Sequence, residues 1–185
     1  SAFAGCGING NANVSILGND FPALHAVFSA AEQCAGDGVT VTKNHNKDYK
    51  DFMVPALTAN PSEYSALTVS NGTLVTLMND DLVRPLDGLV AKHGQALSKT
   101  QLVTVNGQVM AVAFMANAQH LFYRSDILSQ VGMGADDVQT YEQVLNAAKK
   151  IRAAGIMEYP VALNTKAGWN LGEEFINMYL GTGAD

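Results

Sequence analysis

At 185 residues, with 48% hydrophobic and only 15% charged side chains, the chain is suited to a compact fold and not to disorder. It is long enough to bury a core as one large domain or two small ones. A net charge of −6, with eleven Lys and Arg scattered along the chain, argues against the clustered basic surface that nucleic acid requires.

The first hundred residues alternate strand and helix, which predicts an α/β layer structure with a mainly parallel sheet. Asn13–Leu17 is a short apolar strand ending at Gly18-Asn19-Asp20. Pro22 opens a helix that runs to about Cys34, with Asp20 placed to cap or complement its N-terminus and Leu24, Val27, Phe28, Ala31 and Cys34 on its apolar stripe. Gly36-Asp37-Gly38 breaks that helix, and Val39–Thr42 forms the next strand. Tyr49, Phe52, Met53, Ala56 and Leu57 recur at helical spacing around Pro55, which predicts a kink or a shortened helix. Ala66–Val69 is a third strand, Leu74–Met78 one or two helical turns, and Leu82–Asp87 a turn that redirects the chain.

In the second half, Gln101–Val105 and Gln108–Phe114 flank Asn106-Gly107, the strongest short-range hairpin signal. Asn117–Tyr123 reads as a strand, followed by a short helix to Leu128 and a Gly-rich loop. Thr140 and Gln143 form a capping box ahead of the stripe Tyr141, Val144, Leu145, Ala148 and Ile151, and Gly155 ends that helix. The run Lys149-Lys150-Ile151-Arg152 is a solvated face near its C-terminus. Tyr159–Leu163 reads as a strand and Trp169–Leu180 as a helix.

Ligands of open α/β sheets sit beyond the carboxyl ends of the strands. That rule selects Gly18-Asn19-Asp20, Asn44-His45-Asn46 and Ser70-Asn71-Gly72-Thr73. Each loop taken singly is explained as an ordinary turn. Three on one edge, rich in Asn that both donates and accepts, point toward a neutral polyhydroxylated ligand. Trp169, the sole tryptophan, is either a core residue or a platform for a sugar ring beside Asn170.

His25, His45, His93 and His120 are too far apart in sequence to form a metal motif. There is no Gly-x-Ser-x-Gly elbow, and Gly5-Cys6-Gly7 lacks the rest of a phosphate loop, so neither an enzyme nor a cofactor is indicated. The carboxylate pairs Asp80-Asp81, Asp136-Asp137 and Glu173-Glu174 have no partner that fits them for acid–base work.

No stretch approaches the ~20 apolar residues of a membrane helix. Ser1–Gly7 has neither the basic segment nor the apolar core of a signal peptide. Cys6 and Cys34 admit three readings: a disulfide suited to an oxidising compartment, two inert thiols, or at Cys6 the remnant of a lipoprotein cleavage site.

Val83-Arg84-Pro85-Leu86-Asp87, the Asn-Gly hairpin, Asn117 through Leu128 and the capped helix Thr140–Gly155 together carry a resemblance. In that order and spacing the chain resembles family 1 extracellular solute-binding proteins, the capture subunits of ABC importers that include maltose-binding protein. The resemblance implies a class II periplasmic-binding-protein-like fold, with α/β lobes 1–112 and 113–185 joined by crossing hinge strands. It implies capture of a small solute, expected to be a carbohydrate, and delivery to an importer permease from the periplasm, with no reaction catalysed. Asn19, Asp20, Asn71, Asn117, Trp169 and Asn170 match ligand-contacting positions. It also implies that the second lobe continues past Asp185 and that a shortened chain would self-associate. The first-strand loop lacks the aromatic residue common in such proteins. The alternatives are a small α/β hydrolase or transferase, or an interaction domain that reuses the fold.

Overall fold

A computed structural model of the chain describes residues 7–183. Its α/β architecture divides into two compact units, Ser1–Ala116 and Asn117–Asp185.

The first unit is built on a three-stranded parallel sheet in the order β2-β1-β3, comprising β1 (Ala12–Gly18), β2 (Val39–His45) and β3 (Ala66–Leu67). The register runs from Ala12 opposite Val39 to Gly18 opposite His45, and Ile16 lies opposite Ala66. Three helices follow the strands in turn: α1 (Pro22–Gln33), α2 (Tyr49–Thr58) and α3 (Asn71–Asn79). Leu17 from the central strand packs with Tyr49 and Met53 of α2 and Leu77 of α3. Leu17 and Leu77 have no exposed surface, so this cluster is the centre of the unit.

Several sequence expectations are corrected here. Of the predicted α1 stripe only Leu24 and Phe28 are buried, and Val27 is exposed. Asp20 does not cap α1: Phe21 holds the N-cap position with no side-chain hydrogen bond. The α2 helix runs through Pro55 to Thr58 and is not shortened. Its last turn is closed by the Thr58 hydroxyl donating to the Val54 carbonyl, 2.7 Å, and the Ala59 amide donating to Pro55, 3.1 Å. The expected turns after the third strand are a full nine-residue α3, because Ser70 and Thr73 form a reciprocal capping box that starts the helix earlier. The Leu82–Asp87 turn leads into a further helix, α4 (Asp87–His93).

Strands β4 (Leu102–Val105) and β5 (Gln108–Val112) form the expected antiparallel hairpin. Both turn residues adopt positive φ, 51° at Asn106 and 79° at Gly107, as a type I′ turn requires. An irregularity between Val103 and Thr104 shifts the register, and β5 ends two residues before Phe114.

The second unit is helical as described: α5 (Ser125–Gln130), a 3₁₀ turn over Ala135–Val138, α6 (Tyr141–Ala153) and α7 (Trp169–Gly181). Its core gathers Ile127, Leu128, Val138, Ala147 and Ile151. Thr140 and Gln143 form their capping box. The α6 helix closes with Ile156 N–H on the Ile151 carbonyl and Gly155 at φ 71°, a Schellman arrangement. The buried face of α6 is Val144, Ala147 and Ile151, whereas Tyr141 and Leu145 are 57% and 55% exposed. The predicted stripe straddled two faces, and only the one turned to α5 is covered.

Neither Asn117–Tyr123 nor Tyr159–Leu163 is a strand among the described residues, although both were predicted as such. A strand needs a neighbour to complete its ladder, and no ladder hydrogen bond reaches either segment.

Candidate functional site

The parallel register brings the ends of three strands to one edge. Gly18 lies opposite His45, the Asn46 amide donates to the Gly18 carbonyl at 2.9 Å, and the Thr68 amide donates to the Leu17 carbonyl at 2.9 Å. The loops carrying Asn19-Asp20, Asn46 and Ser70-Asn71 therefore leave the sheet side by side. Parallel pairing makes this unavoidable, since all carboxyl ends face the same way.

Around Gly18 the packing is tight. A Cβ there would lie 2.5 Å from Phe28 Cζ and 2.8 Å from the Thr68 hydroxyl, so only glycine lets α1 approach the sheet edge this closely. The Thr68 hydroxyl is buried and has no hydrogen-bond partner among the described residues.

On this edge stand three stacked rings. His45 stacks on Phe28 with centroids 4.5 Å apart, and His25 stacks on His45 at 3.9 Å with planes 7° apart. His45 Nδ1 lies 3.1 Å from the Asn19 carbonyl, and His25 Nε2 lies 2.6 Å from Asp20 Oδ1. A carbonyl and a carboxylate can only accept, so His45 carries a proton on Nδ1 and His25 on Nε2. The His25 hydrogen bond, aided by the nearby positive groups of His25, Lys47 and His45, holds the Asp20 carboxyl below the usual carboxylate range. The Asn19 side-chain carbonyl accepts from the Asp20 amide at 2.8 Å, which folds the loop onto itself.

The first unit has two open hollows. One, about 460 Å³, is lined by Asp20, Phe21, Pro22, His25 and Lys47. The other, about 230 Å³, is lined by Asn44, Asn46, Phe52, Pro55, Ala56, Glu63 and Tyr64. In the second the Asn44 amide donates to the Tyr64 hydroxyl.

Of the residues singled out in the sequence, Asn19 and Asp20 stand at this edge and Asn71 occupies the first position of α3. Asn117, Trp169 and Asn170 belong to the second unit. There Asn117 is exposed, and Trp169 and Asn170 open α7 behind Gly168 at φ 95°. Trp169 is 53% exposed at the start of that helix. Cys34 is disulfide-bonded, so the reading of two inert thiols is set aside, while Cys6 lies outside the described residues. No cluster of three or more His, Cys, Asp or Glu suited to a metal ion occurs among the described residues. No described helix is long and apolar enough to cross a membrane.

The sequence reading missed His25 and the aromatic pair Phe52 and Tyr64. His25 carries no motif, and only its place one turn into α1, next to Pro22 and over the sheet edge, marks it. Phe52 shares the helical spacing of Tyr49, Met53, Ala56 and Leu57, yet it is exposed, and Tyr64 carries no sequence signal of its own.

Comparison with known proteins gives a partial likeness. No protein-family model matches the chain. It is 36% identical over 62 residues to the lactose-binding protein of Rhizobium radiobacter, covering 32% of this chain and 15% of that protein. It is 28% identical over 90 residues to the mannitol-binding protein of Pseudomonas aeruginosa, covering 47% of this chain and 21% of that protein. The matched segments thus span about a fifth or less of these relatives, both of which are named as binding proteins and not as enzymes.

Proposed function

We propose that this chain binds a small neutral polyhydroxylated solute, a carbohydrate or polyol, as part of a family 1 extracellular solute-binding protein. The observation that carries this reading is the convergence of three amide- and hydroxyl-bearing loops on one sheet edge. Carbohydrates offer hydroxyls that both donate and accept, and Asn19, Asn46 and Asn71 answer in kind. The partial likeness to a lactose-binding and a mannitol-binding protein supports the same solute class.

On this reading Asn19, Asp20 and Asn71 take the solute from the first lobe, residues 1–112. Asn117, Trp169 and Asn170 take it from the second, beginning at residue 113. Trp169 supplies an apolar face for the ring and Asn170 a hydrogen bond beside it. Solute bound to both lobes favours the closed state through its differential affinity, the segment near residues 110–118 being the hinge. The closed protein then delivers its solute to an ABC importer permease from the periplasm, and no bond is made or broken.

Titration with lactose and with mannitol tests the proposal, followed by calorimetry and by the fluorescence of the single tryptophan. Saturable binding that Trp169→Ala and Asn71→Ala each weaken about tenfold or more supports it. No saturable response to either probe or to a panel of neutral sugars and polyols would sink it.

A further inference from the structure

We propose that His25 is a positioning residue for Asp20: its Nε2–H fixes one carboxylate oxygen so that the other is presented to a solute hydroxyl. The consequence for the solute rests on the binding function proposed above, whereas the anchoring of the carboxylate does not.

A carboxylate on a loop samples several rotamers, and a ligand that needs one of them must restrict the rest on binding. Here Oδ1 accepts from His25 Nε2 at 2.6 Å, and Oδ2 has no hydrogen bond among the described residues. His25 can serve as an anchor because its own ring is held. It lies on His45 with centroids 3.9 Å apart and planes 7° apart, and His45 lies on the buried Phe28 at 4.5 Å. His45 is the last residue of β2, in register with Gly18, and its Nδ1 lies 3.1 Å from the Asn19 carbonyl. The carboxylate is thereby tied to the sheet and not only to the backbone of its own loop.

The anchored group suits a hydroxyl. An ionised carboxylate only accepts, so its partner must donate. Asp20, His25 and Lys47 line the hollow of about 460 Å³ with Phe21 and Pro22, which puts the Lys47 ammonium, a donor, in the same hollow as the acceptor. A polyol with neighbouring hydroxyls can answer both groups. Ring packing alone does not account for His25, because a phenyl ring would stack on His45 as well. What the imidazole adds is the N–H.

That difference is the test, made on the full chain. His25→Phe keeps a ring on His45 and removes the donor, while His25→Gln keeps a donor and removes the ring. The His25 hydrogen bond is the main cause holding the Asp20 carboxyl below the usual carboxylate range. The Asp20 carboxyl carbon resonance, followed without sugar as pH is lowered from neutral, therefore reports the bond directly. Its midpoint should rise toward the ordinary carboxylate value in His25→Phe and stay near the wild type in His25→Gln. Should His25→Phe not fold, His25→Leu takes its place. Lactose and mannitol titrations at neutral pH then read the consequence. With the His25 and Asp20 side chains 51% and 42% exposed, affinity should weaken about two- to fivefold in His25→Phe and recover in His25→Gln. An Asp20 midpoint that is the same in His25→Phe and the wild type overturns the proposal whatever the sugars do. So does a shifted midpoint with unchanged sugar affinity, or a His25→Gln variant that binds sugar no better than His25→Phe. A shifted midpoint in a protein that binds neither sugar would leave the anchored carboxylate standing and bring down the binding function instead.

Discussion

Phe28 packs directly over Gly18, so that a Cβ on this glycine would lie 2.5 Å from Phe28 Cζ and 2.8 Å from the Thr68 hydroxyl. Phe28 is buried, and it also underlies His45. Gly18→Ala should therefore destabilise the first unit by about 1–3 kcal/mol through overpacking and displace the ring stack with it. Thermal unfolding checks this, and an unchanged melting temperature would mean that α1 can shift without cost.

Beside the same glycine, the Thr68 hydroxyl is buried without a partner among the described residues. Burying an unpaired hydroxyl costs about 1–3 kcal/mol in proteins. Thr68→Val, of nearly the same shape, should raise stability by about 1 kcal/mol in urea denaturation. A loss of stability would show that the hydroxyl is hydrogen-bonded in solution.

Leu17 and Leu77 have no exposed surface and meet at the centre of the first unit. Replacing either with Ala should cost about 2–5 kcal/mol, the transfer of the side chain plus the cavity left behind. Denaturant unfolding with an unchanged m-value is the check, and a cost well under 1 kcal/mol would place the core elsewhere.

Burial raises the Tyr49 phenol above its ordinary value. A raised folded-state value means that the folded form holds its proton where the unfolded chain releases it. The contribution is complete below pH about 10 and is lost as pH rises through the folded value. Melting temperature should fall more steeply above pH 10 in the wild type than in Tyr49→Phe. Parallel curves would show that the phenol is hydrated in both states.

At the start of α6, the Thr140 hydroxyl accepts from the Gln143 amide at 3.1 Å, and Gln143 Oε1 accepts from the Thr140 amide at 3.0 Å. Thr140→Ala should cost about 1 kcal/mol, with Thr140→Ser restoring most of it. Trp169 lies in the same unit, so its fluorescence reports this unfolding. Equal stability of Ala and Ser variants would remove the cap from the account.

What the sequence determined by itself was local chemistry. Asn106-Gly107 set the hairpin because few other residue pairs accept positive φ at both turn positions, and Thr140, Gln143 and Gly155 bounded α6 because their hydrogen bonds close within a few residues. The order of the three strands and three helices from Ala12 to Asn79, and the three loops at one edge, followed from hydrophobic spacing and turn residues. The tertiary structure decided every matter that depends on a distant partner. Asp20 had a helix N-terminus within reach, yet its carboxylate bonds His25, whose ring is held by His45 from another strand. Tyr141 and Leu145 share the spacing of Val144 and Ile151, but only the face turned to α5 is covered. The segments 117–123 and 159–163 have strand-like composition without a ladder, because extended backbone becomes a strand only when a neighbouring strand supplies its hydrogen bonds.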